Sequence, residues 1–354
     1  MAIATTIGAA AILSLIAPAL AAEEFDPQFY SNTWGGLCAT GKLQTPIDLP
    51  ARFDELPPVP ENLVTTVRMP LVKNPEIVNK GSAIQITWEP ATAFDMDDDT
   101  IFPMVAAGGN GIADVILDPS IVPDRMIKMI PIQLHWHETS EHAWDGLLAA
   151  AETHIVTLAG PGQAPPAWGC DAVWEGGDPV LENCTAVFGV MYRLGEPTQE
   201  PNYLETAINE APDVAGAKKP LSAGQLNVDN IIPEDKSYYT YVGSLTTPEC
   251  NEGLRWHVMN EHHYISSKIM QQLENLHAQT KDDTPGAPTQ NFRHNNRPIQ
   301  PTNGRTIMFH NAGDAEYPGS FSVNDEGTSA AAGVSGLIVP GVMAVLSCLI
   351  ALVA

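Results

Sequence analysis

Basic residues are scarce in this chain: 17 Lys and Arg stand against 42 Asp and Glu, the net charge is -25, and no Lys or Arg precedes Lys42. That balance excludes nucleic acid and an anionic membrane surface as partners, because both demand a basic face. Cysteine is limited to five positions, none in a Cys-x-x-Cys pair, so a four-thiolate zinc site has no support. No internal repeat recurs, which argues against a solenoid or propeller. With 354 residues, core size is not limiting.

Both ends are apolar. Residues 1–22 finish Ala19-Leu20-Ala21-Ala22 before Glu23-Glu24, the pattern of a secretory signal peptide with a small-residue cleavage site. Residues 337–354 form an apolar run with no basic residue after it. The run matches a lipid-anchor attachment signal, with Gly327 to Ala332 as the small-residue cleavage region, or alternatively a C-terminal membrane helix. Either way the tail is expected to bring the protein to a membrane. Residues 313–336 are small, acidic and polar and read as a linker. Cys348 lies in the tail, which leaves Cys38, Cys170, Cys184 and Cys250 in an exported chain. Three pairings of these four are open; one closes Cys170–Cys184 locally and uses Cys38–Cys250 as a long-range staple.

Short β-rich runs fill the middle: 83–88, 130–137, 154–158, 185–192 and 254–259, separated by Pro- and Gly-rich turns. One helix is expected after Ser266-Ser267, where Ile269, Met270, Leu273 and Leu276 fall at helical spacing. The 30 prolines are scattered through connections, which fits a single domain with irregular loops. The segments 89–125 and 170–184 read as surface loops. Asp95-Met96-Asp97-Asp98-Asp99 lacks the full spacing of a calcium loop and reads as solvated.

The chemistry concentrates between Gln133 and His154. On a strand, His135 and His137 at i and i+2 share a face, and a turn at Asp145-Gly146 can fold the run containing His154 alongside. Three imidazoles with a fourth position open are the ligand set of a catalytic zinc rather than a closed structural site. A lone His-x-His pair is compatible with ordinary half-buried residues. Gln133, two before His135, and Glu152, two before His154, alter the balance, because each can accept the second N–H of a ligand.

Four stretches in order resemble an alpha-class carbonic anhydrase: residues 38–48 (Cys-Ala-Thr-Gly-Lys-Leu-Gln-Thr-Pro-Ile-Asp), the histidine stretch, Gly243-Ser244-Leu245-Thr246-Thr247-Pro248, and Asn296-Arg297-Pro298-Ile299-Gln300-Pro301. The likeness spans most of 34–309. It implies a mainly β fold of the α+β type, with few short helices. One catalytic domain, residues 23–312, would be built on a large twisted, mostly antiparallel sheet with a conical zinc cleft. It also implies reversible hydration of carbon dioxide to bicarbonate by zinc-bound hydroxide. A catalytically inactive binding or adhesion module of the same fold is the alternative. The Cys38–Cys250 bridge would match one found in secreted members.

By the same likeness Thr246 and Glu141 would orient the nucleophile, and Thr247 would contact bicarbonate. Val156, Val187, Leu245, Leu254 and Trp256 would form an apolar wall for carbon dioxide, with Gln85 lining the cleft. Asn295 stands where the family uses a main-chain acceptor for His137, and His142 would pack behind the metal without ligating it. Ser82 departs from the pattern, since fast members carry a proton-shuttling His there. Serine does not exchange protons near neutrality, so slower, buffer-dependent turnover is expected.

Overall fold

A strand carrying Pro in its middle sets the register of the molecule. In the computed structural model, which describes residues 34–81, 83–94, 101–178, 180–196, 203–279 and 295–313, eleven strands join in one sheet. They are β1 (Glu76–Asn79), β2 (Ile84–Thr87), β3 (Met104–Ala107), β4 (Arg125–Glu138), β5 (Ala151–Ala159), β6 (Thr185–Leu194), β7 (Lys218–Pro220), β8 (Tyr238–Ser244), β9 (Glu252–Met259), β10 (His263–Ile265) and β11 (Met308–His310). The path runs β7-β1-β2-β4-β5-β6-β9-β8-β11, with β3 on β4 and β10 on β6. Every pairing is antiparallel except β6 with β9 and β6 with β10. The mostly antiparallel sheet expected from the sequence is therefore present.

β4 pairs with β5 along most of its length, but the register slips between Pro131 and Gln133. Pro131 has no N–H to give the ladder, and a bulge accommodates it. The Pro131 carbonyl is used instead by the Trp88 indole at 2.9 Å. A one-residue slip exchanges the faces of everything downstream. Beyond it, Leu134 and Trp136 enter the larger core, whereas Gln133, His135 and His137 face the opposite side. On that side Val156, Val187, Tyr239, Tyr241, Leu254 and Trp256 form a second core. Both faces are thus covered, which explains why β5 is buried at every residue.

The segment 89–125 is more than a surface loop. It supplies β3, which pairs with the start of β4, and buries Val105, Ala106, Ile112, Ala113 and Ile116 at 0–4% exposure. The two β3 alanines are small enough to lie under the neighbouring core, and Arg255, wholly buried, donates to the Ala106 carbonyl at 3.0 Å. Its partner segment around Cys170–Cys184 packs beside it: Ile112 N donates to Asn183 O at 3.1 Å, and the Trp174 indole donates to Ala159 O at 2.7 Å. Both segments are built into the fold because each brings apolar residues that the sheet edge can bury.

Two disulfides are formed, Cys38–Cys250 and Cys170–Cys184, which selects one of the three open pairings. The helix after Ser266 is present at Ser267–Gln279, and a second helix, Tyr203–Glu210, was not expected from the sequence. The proposed signal peptide, the Asp95–Asp99 cluster, Ser82, the linker beyond residue 313 and the apolar tail lie outside the described residues.

Candidate metal centre and cleft

His135 and His137 lie on one face of β4, and His154 on β5 stands directly opposite His135. Ring centroids are 5.0 Å apart for His135–His137, 5.3 Å for His135–His154 and 4.6 Å for His137–His154. One ring nitrogen from each lies within 4.8 Å of the others. The other nitrogen is held from behind in each case. Nδ1 of His135 bonds Gln133 Oε1 at 2.8 Å, Nδ1 of His137 bonds the Asn295 carbonyl at 3.0 Å, and Nε2 of His154 bonds Glu152 Oε1 at 3.0 Å. A carbonyl and a carboxylate can only accept, so these contacts fix the proton on the outer nitrogen. The lone pair is then carried by Nε2 of His135 and His137 and by Nδ1 of His154.

Burial, and then the neighbouring imidazoles, hold His135 well below its ordinary pKa, and burial lowers His154. Neutral rings are the form a metal needs. Three neutral imidazole donors brought to one point, with no thiolate among them, fit zinc with a position left for a small molecule.

Glu152 is the hub behind this centre. Its Oε1 accepts from His154 and from His142 Nδ1 at 2.7 Å; its Oε2 accepts from the backbone N–H of Glu141 at 2.9 Å and of His142 at 2.8 Å. Burial alone would raise its pKa, but His142 and His154 hold it well below the usual carboxylate range. His142 continues through Nε2 to the Tyr241 hydroxyl at 2.7 Å, which in turn bonds Thr45 Oγ1 at 3.2 Å. Thr45 Oγ1 also accepts from Ser244 N at 2.9 Å, and so anchors the strand end that leads to Leu245 and Thr246. His142 therefore packs behind the three imidazoles, as the sequence suggested.

Glu141 is 1% exposed, and burial pushes its pKa up to about 7. Its Oε1 accepts from Arg297 N at 2.7 Å, and the neighbouring Thr246 side chain favours the ionised carboxylate. The Arg297 guanidinium reaches Thr45 O at 2.7 Å, Gln44 Oε1 at 2.9 Å and Cys38 O at 3.1 Å, tying the amino-terminal segment to the same place.

The imidazoles close the base of a cleft. Val156, Val187, Leu245 and Trp256 line one part of it; Gln85, Gln133, Thr246, Thr247, Asn295 and Lys80 line the rest. Leu254 departs from expectation. It is fully buried in the core below rather than on the cleft wall, because the register shift between Gly243 and Ser244 separates it from the segment carrying Leu245. Sequence reasoning also missed Thr45, Tyr241 and the Arg297 side chain, whose partners are remote in sequence, and Lys80, in the turn between β1 and β2.

Residues 26–311 match the family described as eukaryotic-type carbonic anhydrase. Alpha carbonic anhydrase 4 of Arabidopsis thaliana is 27% identical over 77% of this chain and 77% of its own length. Carbonic anhydrase Nec1 of Nesocodon mauritianus is 27% identical over 78% and 77%. The solved structure of carbonic anhydrase Cah3 from Chlamydomonas reinhardtii in complex with acetazolamide has the same fold, with a TM-score of 0.54 and 23% identity over 81% of this chain and 97% of that one. With the family match running through every strand of the sheet, the chain belongs to the eukaryotic-type, alpha-class carbonic anhydrases, a family of enzymes.

Proposed function

We propose that this enzyme hydrates carbon dioxide reversibly to bicarbonate and a proton, using zinc held by His135, His137 and His154. The observation that carries the reading is the convergence of three neutral imidazoles, each bonded from behind, beside an apolar wall and a Thr246–Glu141 pair. Zinc bound there would act as a Lewis acid and make a water-derived nucleophile available near neutral pH.

The chain's residues supply the rest. A Thr246 hydroxyl that gives its proton to Glu141 presents only lone pairs to the cleft, so it accepts from a donor there and aligns it for attack. The Arg297 N–H keeps Glu141 aimed. Val156, Val187, Leu245 and Trp256 hold an apolar substrate and exclude water. Thr247, on the polar side, bonds the anionic product. Gln133, Glu152 and the Asn295 carbonyl keep the imidazoles oriented and basic.

Stopped-flow hydration assays before chelation, after chelation and after zinc return test the reading, with His135→Ala as the paired variant. Activity that is lost on chelation, restored by zinc and missing in the variant supports it. A folded, zinc-loaded protein without hydration activity would instead mark an inactive binding module.

The proposal extends to location. Residues 1–22 direct export, and residues 337–354 tether the enzyme as a lipid-anchor signal or a membrane helix. Two disulfides support an oxidising compartment; among the described residues, no helix is long and apolar enough to cross a membrane. Mass analysis of the mature C-terminus distinguishes a lipid attached within 327–332 from a retained tail, and a chain that carries neither refutes tethering.

A further inference from the structure

Hydration yields one proton for each bicarbonate, and that proton must leave a cleft with one apolar wall. The imidazoles at the base have their outer nitrogens committed to Gln133, Asn295 and Glu152. Thr246, Thr247, Gln85, Gln133 and Asn295 do not exchange protons near neutrality. Among the described lining residues one titratable side chain remains besides the three histidines, Lys80.

Its backbone is fixed and its arm is flexible. Lys80 N donates to Ala83 O at 2.8 Å in the turn between β1 and β2. The preceding residue, Asn79, is fully buried and bonded to Ala217 O at 3.1 Å, Gly216 N at 2.7 Å, Pro212 O at 2.8 Å and Gly81 N at 2.8 Å. A rigid base with four methylene carbons above it lets an amine range between the interior of a cleft and its mouth.

We propose that Lys80 Nζ carries the product proton from this cleft to solvent. The assignment rests on the hydration reading above. The neutral amine takes up the released proton to become an ammonium, and the ammonium gives it to a buffer base at the mouth, so the cycle consumes nothing further. His135, held neutral, lies within electrostatic reach of Lys80, and Glu76 on β1 is engaged by Lys218 of β7 at 2.8 Å. Burial lowers the Lys80 pKa, which raises the neutral fraction available at working pH.

Lys80→Met and Lys80→Arg test the assignment, because guanidinium keeps the charge but does not release its proton. In the zinc-loaded protein both variants are expected to lower kcat about tenfold at low buffer, with kcat/KM for carbon dioxide unchanged and kcat recovered by added imidazole. A second readout needs no metal: the pH dependence of amine acylation at Lys80, followed by mass spectrometry of the metal-free protein, is expected to have its midpoint below that of the surface lysines. Full kcat at low buffer in Lys80→Met, or an ordinary labelling midpoint, overturns the assignment. A parent protein that hydrates carbon dioxide at no buffer concentration overturns the hydration reading, which is a separate result.

Discussion

Gly189 on β6 stands directly across the ladder from His154, and a methyl group added to it would lie 2.8 Å from Glu152 Oε1. The absence of a side chain at that position makes room for the carboxylate that orients the third imidazole. Gly189→Ala is therefore expected to displace Glu152, to cost about 1–3 kcal/mol by overpacking, and to weaken zinc binding. Thermal unfolding and zinc titration measure the two effects; a variant unchanged in both would show that Glu152 can yield without consequence.

Glu152 itself receives four donors, two on each oxygen. An amide has one oxygen, so in Glu152→Gln two of those donors would meet an NH2 group. Zinc affinity is expected to fall about 10–100-fold, as when a carboxylate behind a ligating imidazole is lost. Competition with a chelator of known affinity checks this, and parent-like affinity would remove Glu152 from the metal centre.

His262 provides a pH dependence remote from the metal. Its ring lies between Trp144 and Tyr264, at centroid distances of 6.2 and 5.0 Å, and both ring nitrogens are buried without a hydrogen-bond partner among the described residues. Burial, then Arg193 and His263, lower its pKa from 6.5 to about 4. The unfolded chain takes up a proton below pH 6.5 that the folded chain refuses until about 4, so stability present above that window is lost as pH falls through it. Tm is expected to drop across the window and to drop less in His262→Phe. An NMR ring titration should centre near pH 4; a midpoint near 6.5 contradicts the prediction.

By the resemblance, Ser82 would stand where the family's fast members carry His. Ser82→His is expected to raise kcat at low buffer and to change little at high buffer, because it adds a group that exchanges protons near neutrality. Stopped-flow assays at both concentrations decide; no gain at low buffer rejects the idea.

Local spacing made the centre legible. His135 and His137 share a face because strand side chains alternate, and Gln133 and Glu152 fall two residues before the imidazoles they hold for the same reason. The helix at Ser267–Gln279 was readable from Ile269, Met270, Leu273 and Leu276 at helical spacing. Tyr203–Glu210 buries Tyr203, Leu204, Ala207 and Ile208 at the same spacing and went unread. Segment 89–125 was expected at the surface because it is longer than the family pattern, yet Val105 to Ala107, Ile112, Ala113, Val115 and Ile116 are core.

The sequence alone determined the donor types, the strand that carries two of them, and the polar residues flanking them, because a backbone's period is local. Tertiary structure decided the remainder. The slip at Pro131 selects the face on which His135 and His137 emerge. Asn295 reaches His137, Thr246 reaches Glu141, and Arg297 ties Glu141 to Cys38 across the folded sheet. Lys80 enters the cleft only once β1 and β2 are docked beside β4. Contacts between residues so far apart in the chain depend on the packing of the whole sheet, which no local period encodes.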